Sequence, residues 1–210
     1  MQRIILAVLV ASLAATGSAH AQRSHAVRPP SRWVINGHSV MALGTSVGTG
    51  DVGDLKTSSG LGGGVQVGYM ITPRLTAYAG FELAKQPIDV FGLEGDFGLT
   101  HLEAGAHLTF PVRGSRLTPY VGAWVGRRTL TSTIDDFDTG QSADLSLSGL
   151  AVGASGGVQY FVSPKLALDG GLSVGVGKMS NVKVAGQKQV TGPLDNTTTT
   201  RLQFGANWYP

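Results

Sequence analysis

Residues 60–75 read Gly-Leu-Gly-Gly-Gly-Val-Gln-Val-Gly-Tyr-Met-Ile-Thr-Pro-Arg-Leu. Up to Ile71 they alternate. Leu61, Val65, Val67, Tyr69 and Ile71 share one side of an extended chain with Gly63, while Gly62, Gly64, Gln66, Gly68 and Met70 share the other. Successive side chains of a strand point to opposite faces, so a period of two marks a strand with one apolar face and one small or polar face. A helix here would lose about 1 kcal/mol at each glycine relative to alanine. Thr72-Pro73-Arg74 then makes a turn, where a proline leaves no ladder N–H unmade.

The alternation recurs outward from this stretch. Residues 75–83 set Leu75, Ala77, Ala79, Phe81 and Leu83 against Thr76, Tyr78, Gly80 and Glu82. Residues 99–110 set Leu102, Ala104, Ala106, Leu108 and Phe110 against His101, Glu103, Gly105, His107 and Thr109. Stretches 150–162, 166–176 and 201–208 behave alike, and 33–47 is a less regular first strand. Residues 117–125 alternate too, but Tyr120 and Trp124 oppose Val121, Ala123 and Val125, so their facing is open. The expectation is eight antiparallel strands of about ten residues, each covering roughly 23 Å at a 45° tilt. Connections alternate between short (72–74, 111–116, 163–165) and long (48–59, 84–97, 129–147, 178–198). Short turns at one rim and long loops at the other make an up-and-down barrel. The segment from Tyr69 to Leu75 matches that from Tyr160 to Leu166 in type at every position, four strands apart.

A soluble barrel would alternate as well. Its outer face, however, would carry many lysines and glutamates, whereas here the second face is glycine, serine, threonine and glutamine. Only 14% of residues are charged, against about 25% in soluble domains. Glycine occurs 31 times in 210 residues, about twice its usual share. The apolar face therefore looks out at lipid and the glycine-rich face is enclosed; a closed sheet pairs every backbone group without a helix. No cysteine is present, and the net charge of +3 comes with no basic stripe, so thiol chemistry and nucleic-acid binding are not expected.

Arg3, an apolar run over residues 4–15 and Ala19-His20-Ala21 read as an export signal covering 1–21, cleaved before Gln22. Residues 22–32, with Pro29-Pro30, read as a flexible periplasmic lead-in, and 33–210 as the barrel domain.

On the leader, the Tyr-φ-φ-[Ser/Thr]-Pro-[Lys/Arg]-Leu turns, the strand start Pro119-Tyr120-Val121-Gly122 and the final strand, the chain resembles the small bacterial outer-membrane β-barrel family of the OmpA-barrel and OmpX kind. The resemblance spans about 33–209. It implies an eight-stranded antiparallel up-and-down transmembrane β-barrel in the cell outer membrane. It also implies a C-terminal strand read by the barrel-assembly machinery through Phe204, Gly205, Trp208 and Tyr209, although this chain closes on Pro210. Outer-membrane lipid and lipopolysaccharide are the expected surroundings, the state a monomer, and no cofactor is expected. A peptidoglycan-binding role, as in larger OmpA-type proteins, is not expected.

Glu82, His101, Glu103, His107, Asp169 and Arg201 fall on the enclosed face. Histidines and carboxylates together could ligate a metal or move protons, but charges inside a narrow barrel ordinarily pair with one another. A paired lumen network is expected, with neither catalytic nor metal residues. Asp135, Asp136 and Asp138, with Asp144, make one long loop acidic; they could contact a cation, though the spacing lacks an EF-hand pattern and a solvated loop suffices. Lipid-A-deacylating barrels carry a His-x-Ser pair, which this chain lacks; His38-Ser39 is adjacent and faces two ways. Gly62-Gly63-Gly64 precedes no Gly-Lys-[Ser/Thr] and is no phosphate loop. Trp33, Tyr69, Tyr160, Trp208 and Tyr209 are expected in an aromatic girdle at the turn rim. The functional expectation is a non-enzymatic barrel that anchors long outer loops for surface interactions. A narrow passive channel and a lipid-modifying enzyme are the alternatives.

Overall fold

The same two-residue period governs the computed structural model, which describes residues 29–47, 55–56, 59–90, 93–135, 142–184, 187–189 and 196–210. The strands are β1 (Trp33–Val47), β2 (Leu55–Lys56), β3 (Gly60–Met70), β4 (Leu75–Val90), β5 (Leu93–Thr109), β6 (Leu117–Asp135), β7 (Ser142–Ser163), β8 (Leu166–Val184), β9 (Gln187–Gln189) and β10 (Asn196–Trp208). β2 and β9 are short pieces at the loop rim. The other eight are 11 to 22 residues long, pair antiparallel in sequence order, and close where β10 meets both β1 and β8.

Closure fixes the bore. Following cross-strand partners once round, from Leu75 through Val121 and Leu202, returns to β4 at Lys85, ten residues along. A ten-residue stagger over eight strands tilts them about 40° and sets a backbone radius of about 8 Å, narrow enough for side chains to fill.

Facing follows parity. Leu61 is 72% exposed, Leu150 69% and Phe204 60%, whereas Arg201 is 2%, His101 1% and Ala167 0%. Leucines, valines and phenylalanines thus form the outer surface, which only hydrocarbon would match. On β6 the open choice is decided: Val121 and Val125 face out, and Tyr120 and Trp124 are buried inside. The reason lies on the next two strands. A Cβ at Gly153 or Gly175 would overlap the Trp124 indole, and one at Gly157 or Gly171 the Tyr120 phenol. Glycines on β7 and β8 are therefore the sockets for the aromatics of β6.

Three expectations need correction. The strands exceed ten residues: β4 and β5 stay paired to Val90 and Leu93, and β6 and β7 to Asp135 and Ser142, well into the stretches expected as loops. Loss of apolar alternation marks where lipid ends; backbone pairing continues beyond it, through β-favouring residues such as Thr129, Thr131 and Thr133. Asp135 is accordingly the last residue of β6 rather than a loop residue, and Asp144 lies within β7. Asp136, Asp138, the leader 1–21 and residues 22–28 lie outside the described residues. Finally, Trp33, Tyr69, Tyr160 and Trp208 do face outward near the turn rim, with Trp33 edge-on to Tyr69 at 5.0 Å, but Tyr209 does not. It comes directly after an outward Trp208, so parity turns it inward, where it stacks on Phe161 at 5.7 Å and donates to Gln159 Oε1 at 3.3 Å.

Candidate functional site

The lumen is layered. Toward the loop rim Val40, Ala84, Leu99 and Leu130, one from each of β1, β4, β5 and β6, pack into an apolar cap with Leu147 against it. Two residues nearer the turns, the same strands carry His38, Glu82, His101 and Arg128. Period two makes this succession of layers automatic once the register is set.

Arg201, on β10, is the hub of the charged layer. Its Nη1 donates to Glu82 Oε2 and to His101 Nδ1, and its Nη2 donates to Glu103 Oε2 at 2.9 Å and to Ser173 Oγ at 3.1 Å. His101 Nδ1 also stands 3.5 Å from Glu82 Oε2 and 3.4 Å from Glu103 Oε2. Gln203 donates to Glu82 Oε1, and Gln66 donates to Glu103 Oε1 at 3.2 Å. Trp124 donates to Ser173 Oγ at 2.9 Å and takes two guanidiniums on its ring, Arg201 at 5.0 Å and Arg128 at 5.2 Å. The two terminal nitrogens of Arg128 have no hydrogen-bond partner among the described residues, so the indole is the favourable contact left to that charge.

Below lies a chain of hydrogen bonds. His38 Nε2 shares a hydrogen bond of 3.1 Å with Glu82, and its Nδ1 one of 2.7 Å with Asn36. Asn36 donates to Asn207 at 2.8 Å, and Asn207 donates to Asp169 at 3.3 Å, which also accepts from the Tyr120 hydroxyl at 3.2 Å. His107 lies between Tyr78 and Tyr120, with ring centroids 4.4 and 4.7 Å away. A polar cavity of about 320 Å³ occupies this layer, lined by Asn36, Gln66, His107 and Asp169 among others and reaching the turns at Arg74 and Arg113. Phe161, Ala167 and Tyr209, with Val34 and Met70, form an apolar layer at the turn rim.

Four of the six residues expected in the lumen therefore meet in one cluster, Asp169 joins it through Asn207, Asn36 and His38, and His107 stands apart in an aromatic stack. Donor atoms of Glu82, His101 and Glu103 lie within 4.8 Å of one another, a spacing that a metal could use. Arg201 already lies between them as a fixed cation, so an ion would have to displace a buried guanidinium. Sequence reasoning missed His38, Arg128, Trp124 and the tyrosines. Arg128 was legible in principle: it has the parity of Trp124, but the apolar alternation that marks the strand fades after Val125.

The family model for the outer membrane protein beta-barrel domain matches residues 7–209. No curated protein matches the chain. Among solved structures, Neisserial surface protein A (NspA) is similar at 20% identity and a TM-score of 0.61, covering 86% of this chain and 98% of that one. OprG from Pseudomonas aeruginosa is similar at 15% identity and 0.55, covering 86% and 96%. Ail, the attachment invasion locus protein of Yersinia pestis, is similar at 16% and 0.51, covering 85% and 98%. At such identities the likeness concerns the fold.

Proposed function

The chain belongs to the outer membrane protein beta-barrel domain family and resides in the outer membrane, and from that premise we propose that it is a non-enzymatic, occluded barrel whose role is to anchor its outer loops for contact with surfaces, ligands or lipopolysaccharide. The observation that carries this reading is the blocked lumen: the cavity on the turn side does not continue past the layers on the loop side. The apolar cap, the Arg201 cluster and the Trp124 indole lie in series across a bore of about 8 Å radius. A passive channel needs a continuous wet path, and each layer interrupts one. The carboxylates and His101 that could do acid–base work are held by Arg201, away from the lipid where an acyl chain would lie.

The proposed partners derive from the outer surface. Lys85, Arg127 and Lys178 are exposed on β4, β6 and β8, each two residues beyond an outward apolar residue, Leu83, Val125 and Val176. Cations at the outer border of the apolar band suit lipopolysaccharide phosphates. Phe204 and Trp208, both outward on β10, with Gly205 and Tyr209, form the strand offered to the assembly machinery. The barrel works as a monomer. Planar-bilayer recording tests the occluded reading: the purified protein is expected to insert without a steady conductance step, and a stable open level would overturn it.

A further inference from the structure

At the turn rim one arrangement occurs four times. Arg32 precedes β1, Arg74 β4, Arg116 β6 and Lys165 β8, so each strand rising from this rim starts immediately after an exposed cation. Each time a hydroxyl braces the bend: Ser31 Oγ accepts from Trp33 N–H at 3.0 Å, Thr72 Oγ1 from Arg74 at 3.3 Å, Ser115 Oγ from Leu117 at 3.0 Å and Ser163 Oγ from Lys165 at 3.3 Å. Each time, too, the carbonyl of the cationic residue ends the ladder to the neighbouring strand, accepting in turn from Met70 (2.7 Å), Thr109 (2.8 Å), Phe161 (2.9 Å) and Tyr209 (2.9 Å). Four backbones held alike, two strands apart on a barrel of about 8 Å radius, make a ring whose attachment points lie roughly 11 Å apart. Arg113 adds a fifth exposed charge.

Among the described residues no Asp or Glu lies in the turns of that rim; the acids are in the lumen (Glu82, Glu103, Asp169) or toward the other rim, as at Asp89, Glu94 and Asp96. The first strand residue after each cation sets the height of the ring: Trp33, Leu117 and Leu166 are outward apolar side chains, Leu75 is half-buried opposite the outward Leu108, and Tyr69, Tyr160 and Trp208 face lipid beside them. Aromatics mark the interface of a bilayer, and the next layer outward is its headgroups.

We infer that the turn rim is a binding ring for anionic phospholipid headgroups of the periplasmic leaflet. The inference rests on the membrane-anchored barrel described above, with its short turns periplasmic. Guanidinium and ammonium groups held at phosphate depth pair with lipid phosphates, and a lipid bearing net negative charge gains over a zwitterionic one, whose own cation competes. Pinned backbones mean that little main-chain order is lost when a headgroup docks.

Trp33 and Trp208 are reporters already in place, 54% and 50% exposed at this rim. The full chain, folded into vesicles, is titrated with brominated phosphatidylglycerol or brominated phosphatidylcholine, and quenching gives their relative association. Phosphatidylglycerol should be preferred on the order of fivefold, the worth of one cation at an anionic surface. The preference should fall to about parity in the variant Arg32→Gln/Arg74→Gln/Arg113→Gln/Arg116→Gln/Lys165→Gln, and for the unaltered protein in about 1 M salt, where screening reaches about 3 Å. The variant Lys85→Gln/Arg127→Gln/Lys178→Gln, altered at the opposite border, should keep it. Equal quenching by the two lipids, or a preference that survives both the rim substitutions and salt, would overturn the inference. Failure of the barrel reading itself registers separately, as loss of the mobility difference between unboiled and boiled samples on a gel.

Discussion

Replacing Arg201 by methionine keeps most of the side-chain volume and removes the hub charge. Glu82 and Glu103 would then be buried carboxylates without their closest cation, for both lie within hydrogen-bonding distance of that guanidinium. A unit-charge pair about 4 Å apart is worth about 4 kcal/mol at an effective dielectric constant of 20. Two such attractions exceed the observed cost of breaking one buried pair, about 3–5 kcal/mol. Compensation pulls the figure back: Arg128 remains beside Trp124, and Glu82 keeps His38 and Gln203. Among the described residues Glu103 keeps Gln66, at 3.2 Å, and stands 3.4 Å from His101 Nδ1, with no second amide to match the Gln203 of Glu82. The expected loss is about 3–4 kcal/mol, carried mostly by Glu103. Urea unfolding in lipid vesicles, followed by tryptophan emission, measures it. Adding Glu103→Gln to Arg201→Met should restore more stability than adding Glu82→Gln, and the triple variant should approach the parent. If Arg201→Met costs under about 1 kcal/mol, or the triple variant is no better than the single one, the charged layer is not held together as described.

Packing sets the other outcomes. Gly175→Val sets a side chain against the Trp124 indole and Arg128 and should cost at least the 1–3 kcal/mol typical of overpacking. Gly170→Ala, whose Cβ would lie 3.7 Å from the outward Phe204 ring, should unfold within about 0.5 kcal/mol of the parent, as surface changes do; a reversed order would refute the assigned facing of β8. Of the three tryptophans, Trp33 and Trp208 face lipid and Trp124 does not. Quenching by brominated lipid should thus largely disappear in Trp33→Phe/Trp208→Phe, while the remaining Trp124 emission persists; strong residual quenching would place the indole of Trp124 outside.

Much of this protein is dictated by local pattern. Strand number, the lipid-facing set and the enclosure of Glu82, His101, Glu103 and Arg201 all come from parity, because backbone geometry alone sends alternate side chains to opposite faces. Wherever apolar character tracks parity, as on β3 and β5, the sequence is sufficient. It was insufficient where large residues fell on both faces, as on β6, and where the ladder outruns the apolar alternation, as at Arg128 and Tyr209. Which lumen residues meet was beyond it. Arg201 touches Glu82 across a sequence separation of 119 residues, and that contact depends on closure through β10 and on the ten-residue stagger, properties of the sheet as a whole. The glycines tell the same story. Composition shows their abundance, but only the closed barrel aligns Gly153 and Gly175 with one indole, since a socket and its occupant lie on different strands and their match is set by register. Two of the rim cations show in sequence as the repeated turn at Arg74 and Lys165. That Arg32 and Arg116 complete a ring is decided in three dimensions, because hydroxyl-braced bends of differing sequence reach equivalent places only when all four neighbouring strands end their ladders at the same rim.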